Sequence, residues 1–383
     1  MNVLTGLSPN LFAALNTVSR ELVGMIPAVS INASGVERAA INESVRIPIV
    51  GSANVSDISP SMNTPEPTDQ IVTYTTITIT KSRAAEFGFV GEEQKGLDGG
   101  AGYGQIQTDM IAQAMRTLVN EVEGDLTSLY AKTSRAYGNI GTIPFSDGLK
   151  EIAQVHKILV DNGAPTTDKQ LVLNTLSGAS LRSNTGLTNV NNAGSDQTLR
   201  EGLFGRLSGF AVRESGQFLD HVSGDADSST TNAAGYAKGS TEITLAATGT
   251  GAVLAGDIIT FAGDANKYIV TKGLADVSNG GKITIGENGL RVAISDSATA
   301  ITISDDYSVN MGFDRGAIHL VARAPALPKE GDTALDRMTI TDTVSGLSFE
   351  VSVYGGYRKV RYEIALAWGM EITKPEHTLL LVG

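Results

Sequence analysis

Cysteine is absent from this chain, which excludes disulfides, thiolate metal sites and a cysteine nucleophile together. The fold has to stand on packing and backbone hydrogen bonds. Basic clusters are absent too: no run of five or more Lys or Arg occurs, and the net charge is −12 at pH 7. Gripping nucleic acid takes cations that replace phosphate counterions, so a tight nucleic-acid binder is excluded. Enclosing DNA without holding it is not. No apolar run reaches about 18 residues, the length needed to span a bilayer as a helix. The opening Met1-Asn2-Val3-Leu4-Thr5-Gly6 lacks the basic start and apolar stretch of a signal peptide, so cytoplasmic synthesis is expected. Proline is scarce, 11 residues in 383.

What is present is an ordered composition, 41% hydrophobic and 18% charged, far from the profile of disorder. Length suits two or three domains at ~150 residues each, enough to bury a core without staples. Ser8 and Pro9 open a helix whose apolar residues Leu11, Phe12, Leu15, Val18 and Leu22 recur at helical spacing up to Gly24. A helix of four turns is marginal alone and has to dock on something. Residues 44–50 and 71–80 read as strands around a polar, proline-bearing excursion at 51–70, an arm projecting from a body.

After Gly99-Gly100-Ala101-Gly102-Tyr103-Gly104 comes the strongest pattern. Ile106, Met110, Ala114, Leu118, Val122 and Leu126 form one ridge, with Ile111, Met115, Val119 and Leu129 beside it. The spacing predicts one helix over about 105–132, a strut of ~40 Å. A second helix is expected over 147–161, capped by Ser146 and stopped by Gly163 and Pro165. Residues 169–174 read as a short buried strand, and a short helical piece is expected near 199–203.

At about Asp220 the texture changes. Short β runs are expected at 242–245, 257–261, 267–271, 282–285, 290–294 and 300–303, with Gly, Asn and Asp in the gaps. They predict a small all-β barrel inserted into an α+β chain. The end is strand-rich: 347–354, 358–368 and 378–382, the first two joined at Gly355-Gly356.

Chemistry is hard to find. His156, His221, His319 and His377 are scattered without metal-ligand spacing and read as structural. The glycines at 99–104 lack the Lys-Ser/Thr of a phosphate loop. Asp225-Ala226-Asp227 suggests a calcium loop but has Thr230 where Gly is required and Tyr236 where Glu is required. No catalytic, cofactor-binding or metal residue is nominated.

The order of elements then matters more than any motif. Together with Asp342-Thr343-Val344-Ser345-Gly346-Leu347-Ser348-Phe349, Tyr354-Gly355-Gly356-Tyr357, Tyr362 to Gly369 and Lys374-Pro375-Glu376-His377, it resembles the major capsid proteins of tailed bacteriophages, the branch with an inserted β-barrel. Leu171-Val172-Leu173-Asn174 with Ser177-Gly178-Ala179-Ser180 is similar as well. The resemblance implies an α+β capsid fold: N-arm 1–43, extended loop 44–97, spine helix and peripheral domain 98–147, axial domain 148–219, inserted β-domain 220–312, and axial and peripheral completion 313–383. It implies a structural, non-enzymatic subunit that assembles with many copies of itself, as hexamers and pentamers, into an icosahedral head enclosing double-stranded DNA. Scaffolding protein and portal are the implied partners, and no cofactor or membrane is expected. Self-assembly contacts are expected at Leu11, Phe12, Leu15, Asp57, Glu66, Asp69, Arg83 and Glu86. The alternative is another self-assembling surface, tail or adhesin subunit with a β binding module.

Overall fold

The structure, a computed structural model, describes residues 23–50, 55, 57, 58, 60, 72–98, 102–188, 202, 204–343 and 345–383. The expected N-terminal helix up to residue 22, most of the excursion at 51–70 and the helical piece at 199–201 lie outside these residues.

The chain runs from a 3-10 turn at Ile26–Ala28 into β1 (Ser30–Ala39), β2 (Ser44–Val50), β3 (Val72–Thr78) and β4 (Lys81–Val90). Then come α1 (Gly91–Asp98), α2 (Tyr103–Ser128), a 3-10 turn at Leu129–Lys132, β5 (Arg135–Gly138), α3 (Lys150–Asp161), β6 (Lys169–Leu173), α4 (Thr175–Ser183), α5 (Thr185–Thr188), β7 (Arg206–Leu207) and β8 (Phe210–Glu214). The next stretch holds β9 (Glu242–Leu245), β10 (Ile258–Phe261), β11 (Lys267–Lys272), β12 (Gly281–Ile285) and β13 (Ile301–Ile303). The chain closes with β14 (Val309–Asp314), β15 (Ile318–Pro325), β16 (Ala334–Thr341), β17 (Ser348–Gly356), β18 (Lys359–Ile372) and β19 (Thr378–Val382).

Two sheets carry the body. The smaller has the order β1-β15-β18-β17-β16, with β4 added to β18 over ten residues from Lys81↔Trp368 to Val90↔Lys359. The larger runs β13-β10-β11-β5-β19-β14-β6-β8-β7, with β12 and β9 attached through β11. α2 lies between them: Ile111, Met115, Leu118, Val119, Val122 and Leu126 share one core with Ile364, Leu366 and Trp368 of the small sheet and Met311, Phe313 and Leu380 of the large one. Residues of both apolar ridges read from the sequence are buried in that one core. α3 covers another face of the large sheet, burying Ile152, Val155, Ile158 and Leu159 on Leu171, Phe210 and Leu379.

The inserted segment has its own core around Ile243, Ile259, Tyr268, Val270 and Ile283. It is not a separate sheet, because β11 pairs with β5 and so continues the sheet of the body. By Val309 the chain is back at the centre of that sheet, between β19 and β6.

Several expectations change. Residues 290–294 form no strand: Leu290 and Ile294 plug the insert's core from a loop tied by bonds such as Tyr236 N to Ile294 O, 2.8 Å. α3 begins at Lys150 without a side-chain cap, because Gly148 takes a positive φ of 125° and delays the helix past Ser146. The C-terminal hairpin turns at Tyr357-Arg358, with Gly356 still paired to Lys359 and Arg358 at φ 55°. β1 was not anticipated; it pairs in parallel with β15, and Met25, Ile26 and Ala28 before it are fully buried.

Candidate assembly surfaces

β2 and β3 form a two-stranded ribbon, in register from Ser44↔Thr78 to Val50↔Val72, and pair with neither body sheet. Its root is packed: Ile77 and Ile79 are fully buried with Ala39, Val321 and Ala367. Its distal part is not, with Tyr74 at 62% exposure and Val55 and Ile58 beyond the ribbon's end almost fully exposed. A ribbon with so little intrachain cover has no fold-internal reason to carry apolar side chains at that end.

A polar cluster fixes the root against α2. Thr80 N donates to Trp368 O at 3.0 Å. Lys81 Nζ reaches Asp125 at 2.8 Å and Glu121 at 3.2 Å, and lies 5.9 Å from the ring centre of Trp368. The indole of Trp368, fully buried, donates to the other Asp125 oxygen at 2.9 Å. Burial alone would lower the Lys81 pKa, but its bonds to Asp125 and Glu121 raise it overall.

A second anchor holds the chain where it joins the body. The carboxylate of Glu123, fully buried in the middle of α2, accepts Gly24 N–H and Met25 N–H on one oxygen, both at 2.7 Å, and Ile26 N–H on the other at 2.9 Å. These are amides that no strand or helix ladder satisfies, and a carboxylate is the acceptor best suited to all three. Glu123 continues the ridge of Ile111, Met115 and Val119, and that interruption of an apolar row was the available sequence signal. Gly24 is demanded by space, since a Cβ there would lie 2.3 Å from Glu214 O.

Of the residues expected at contacts, Leu11, Phe12, Leu15, Glu66 and Asp69 lie outside the described ones. Asp57 is exposed. Arg83 and Glu86 both sit on β4, three residues apart and so on opposite faces. Arg83 Nε pairs with Glu121 of α2 at 3.3 Å. Glu86 pairs with Arg361, which also reaches Glu363 at 3.5 Å. The structure thus gives Arg83 and Glu86 partners within the chain.

A groove of about 520 Å³ runs between α2 and residues 217–220 over Gly124, Thr127, Tyr130, Phe218 and Leu219. Two of its three carboxylates, Glu121 and Asp125, are engaged with Lys81, and the third is the exposed Asp220. Among the described residues no group of three or more His, Asp or Glu is placed to hold a metal ion. The acidic residues of the would-be calcium loop have partners within the chain: Asp225 accepts Ala252 N–H at 2.8 Å, and Asp227 accepts the Ser228 hydroxyl at 3.2 Å. His156, His319 and His377 stand apart, and burial lowers the pKa of each.

This architecture, with a free ribbon, a long helix between two sheets and a β-insert sewn into one of them, is the fold of phage capsid proteins. It is shared with the capsid structure of the cyanophage P-SCSP1u at 12% identity and TM-score 0.50, over 95% of this chain and 89% of that one. A structure from Mycobacterium phage Che8 aligns over 97% and 90% at 14% identity and TM-score 0.47. The mature capsid of bacteriophage PhiM1 aligns over 94% and 86% at 10% identity and TM-score 0.45. No family model matches the chain, and no curated protein matches it.

Proposed function

We propose that this chain is a structural coat subunit, assembling with copies of itself into an icosahedral shell that encloses double-stranded DNA in the head of a tailed phage. The observation that carries the reading is the fold shared along 95% of the chain with a phage capsid structure. The exposed end of the β2–β3 ribbon supports it, because apolar side chains at Val55, Ile58 and Tyr74 are used only if a neighbouring copy covers them. Modest contacts repeated over many copies suffice for a stable shell through avidity. An overall negative chain suits a wall that contains DNA without binding it. The subunit catalyses nothing in this reading. Scaffolding protein, portal and assembly in a bacterial cytoplasm belong to the same proposal.

The ribbon provides the test. Replacing residues 51–70 by a two-residue turn should leave a folded subunit, because the root rests on Ile77 and Ile79, and should abolish fast-sedimenting particles. Normal particles from that variant would remove the ribbon from the account.

A further inference from the structure

The inserted segment leaves the body at residues 220–224 and returns at 305–308, and a buried chain of polar groups lies where these two crossings meet the end of α2. His221 and Tyr307 pair through their backbones, with His221 N to Tyr307 O at 2.9 Å and the reverse bond at 3.2 Å. The rings of the two residues lie 4.9 Å apart. His221 Nε2 is 2.9 Å from Asp257 Oδ1, and its Nδ1 is 2.7 Å from the hydroxyl of Tyr130, in the 3-10 turn that ends α2.

The proton arrangement follows from the partners. Asp257 is fully buried and also accepts Gly224 N–H at 3.1 Å and Leu254 N–H at 2.7 Å, so it acts only as an acceptor. Nε2 therefore carries the hydrogen towards Asp257, and Nδ1 is left to accept from the Tyr130 hydroxyl. Burial raises the Tyr130 pKa, which keeps that hydroxyl a donor. Tyr307 closes the cage by donating to Gly256 O at 2.5 Å. Gly256 adopts φ 99°, and a Cβ there would lie 2.8 Å from the His221 ring and 3.1 Å from the Tyr130 ring. The backbone has been brought in as close as the two rings permit.

We propose that His221 is a pin that locks the inserted β-domain to the C-terminal end of α2, through Tyr130 on the helix side and Asp257 on the insert side. The insert is held to the body at further points: β11 pairs with β5, Arg135 donates to Asn266 at 2.6 Å, and Arg291 donates to Asn162, which follows α3. The insert therefore bridges the ends of α2 and α3, and a rotation of α2 is carried into it through the pin. Six residues supply the device: Tyr130, His221, Gly224, Gly256, Asp257 and Tyr307. It belongs to the single chain, whatever that chain assembles into.

Hydrogen exchange of the full chain tests it with Tyr130→Phe, Asp257→Asn and the double variant. Tyr130→Phe keeps the ring and removes only the donor. It should speed exchange roughly fivefold at 129–132, 220–224 and 305–308, as the loss of one net hydrogen bond does, and leave 348–372 unchanged. If the two partners act through His221, the double variant exchanges no faster at 129–132 than the more affected single one. Additive effects, or unchanged exchange at the crossings in Tyr130→Phe, overturn the pin. If Asp257→Asn does not fold, exchange in Tyr130→Phe decides alone. Nitrogen-15 spectra of the four imidazoles give a separate reading: His221 should carry its hydrogen on Nε2, and a hydrogen on Nδ1 contradicts the arrangement.

Discussion

Glu123→Gln isolates one buried carboxylate and leaves the shape of α2 almost untouched. In the parent, one oxygen accepts two amides and the other accepts a third, at 2.7, 2.7 and 2.9 Å. The glutamine keeps a single acceptor. With that oxygen on Gly24 and Met25, its NH2 group faces the Ile26 N–H, so one donor loses its partner and two more are buried against it. The other orientation strands two amides. A hydrogen bond to a charged group contributes about 1.5–3 kcal/mol, and an orphaned buried donor costs about 1–3 kcal/mol. A destabilisation of about 2–4 kcal/mol follows, with Glu123→Ala at least as costly because all three amides lose their acceptor. Urea unfolding of the unassembled subunit, with midpoint and slope both recorded, measures it. A Glu123→Gln midpoint within about 0.5 kcal/mol of the parent would show that the amides find other partners, and the anchor would be wrong.

Three further outcomes follow from the same geometry. Asp125→Ala should orphan the buried indole N–H of Trp368 and weaken the ribbon root, with a loss of about 1–3 kcal/mol. Because Trp368 is the only tryptophan, its emission should shift in the folded protein, and an unchanged spectrum counts against the contact. Gly24→Ala drives a methyl group to 2.3 Å from a backbone carbonyl that cannot swing away, so it should cost about 1–3 kcal/mol, and a neutral effect on thermal unfolding would refute the close approach. His156, His319 and His377 all have pKa values depressed by burial from 6.5, so the unfolded chain takes up protons first as pH falls. Their contribution is full above 6.5 and is lost below it. Asp314 and Glu363, raised by burial, act the opposite way, but from the lower carboxylate range upwards. The thermal midpoint should be lower at about pH 5.5 than at about pH 7.5, and an equal or higher value contradicts this balance.

The elements legible in the sequence are those whose pattern is local. α2 was visible because two apolar ridges repeat along 26 residues. β9 and β19 were bounded correctly because turn residues flank short apolar runs. β1 was illegible: its partner β15 lies nearly three hundred residues away, and its own run Ser30-Ile31-Asn32-Ala33-Ser34, half-buried to exposed over residues 30–33, is too polar to announce a strand. Residues 290–294 misled for the converse reason, since a loop that plugs a core carries the same apolar residues as a strand. The resemblance pointed to the architecture, while the anchors did not show. Glu123 is marked in the sequence only by its place in an apolar row, and Asp257 not at all, until the fold supplies the amides and the imidazole they hold. The intrachain pairs of Arg83 with Glu121 and of Glu86 with Arg361 were equally invisible, because their partners lie far off in the chain.

The central claim is assembly, and negative-stain electron microscopy of the purified full chain, expressed alone and with the genes that neighbour its own, tests it most directly. Closed shells, tubes or extended sheets whose repeating unit matches a 40.0 kDa subunit are the predicted result. A folded chain that stays monomeric under both conditions would contradict the coat reading and leave only the fold.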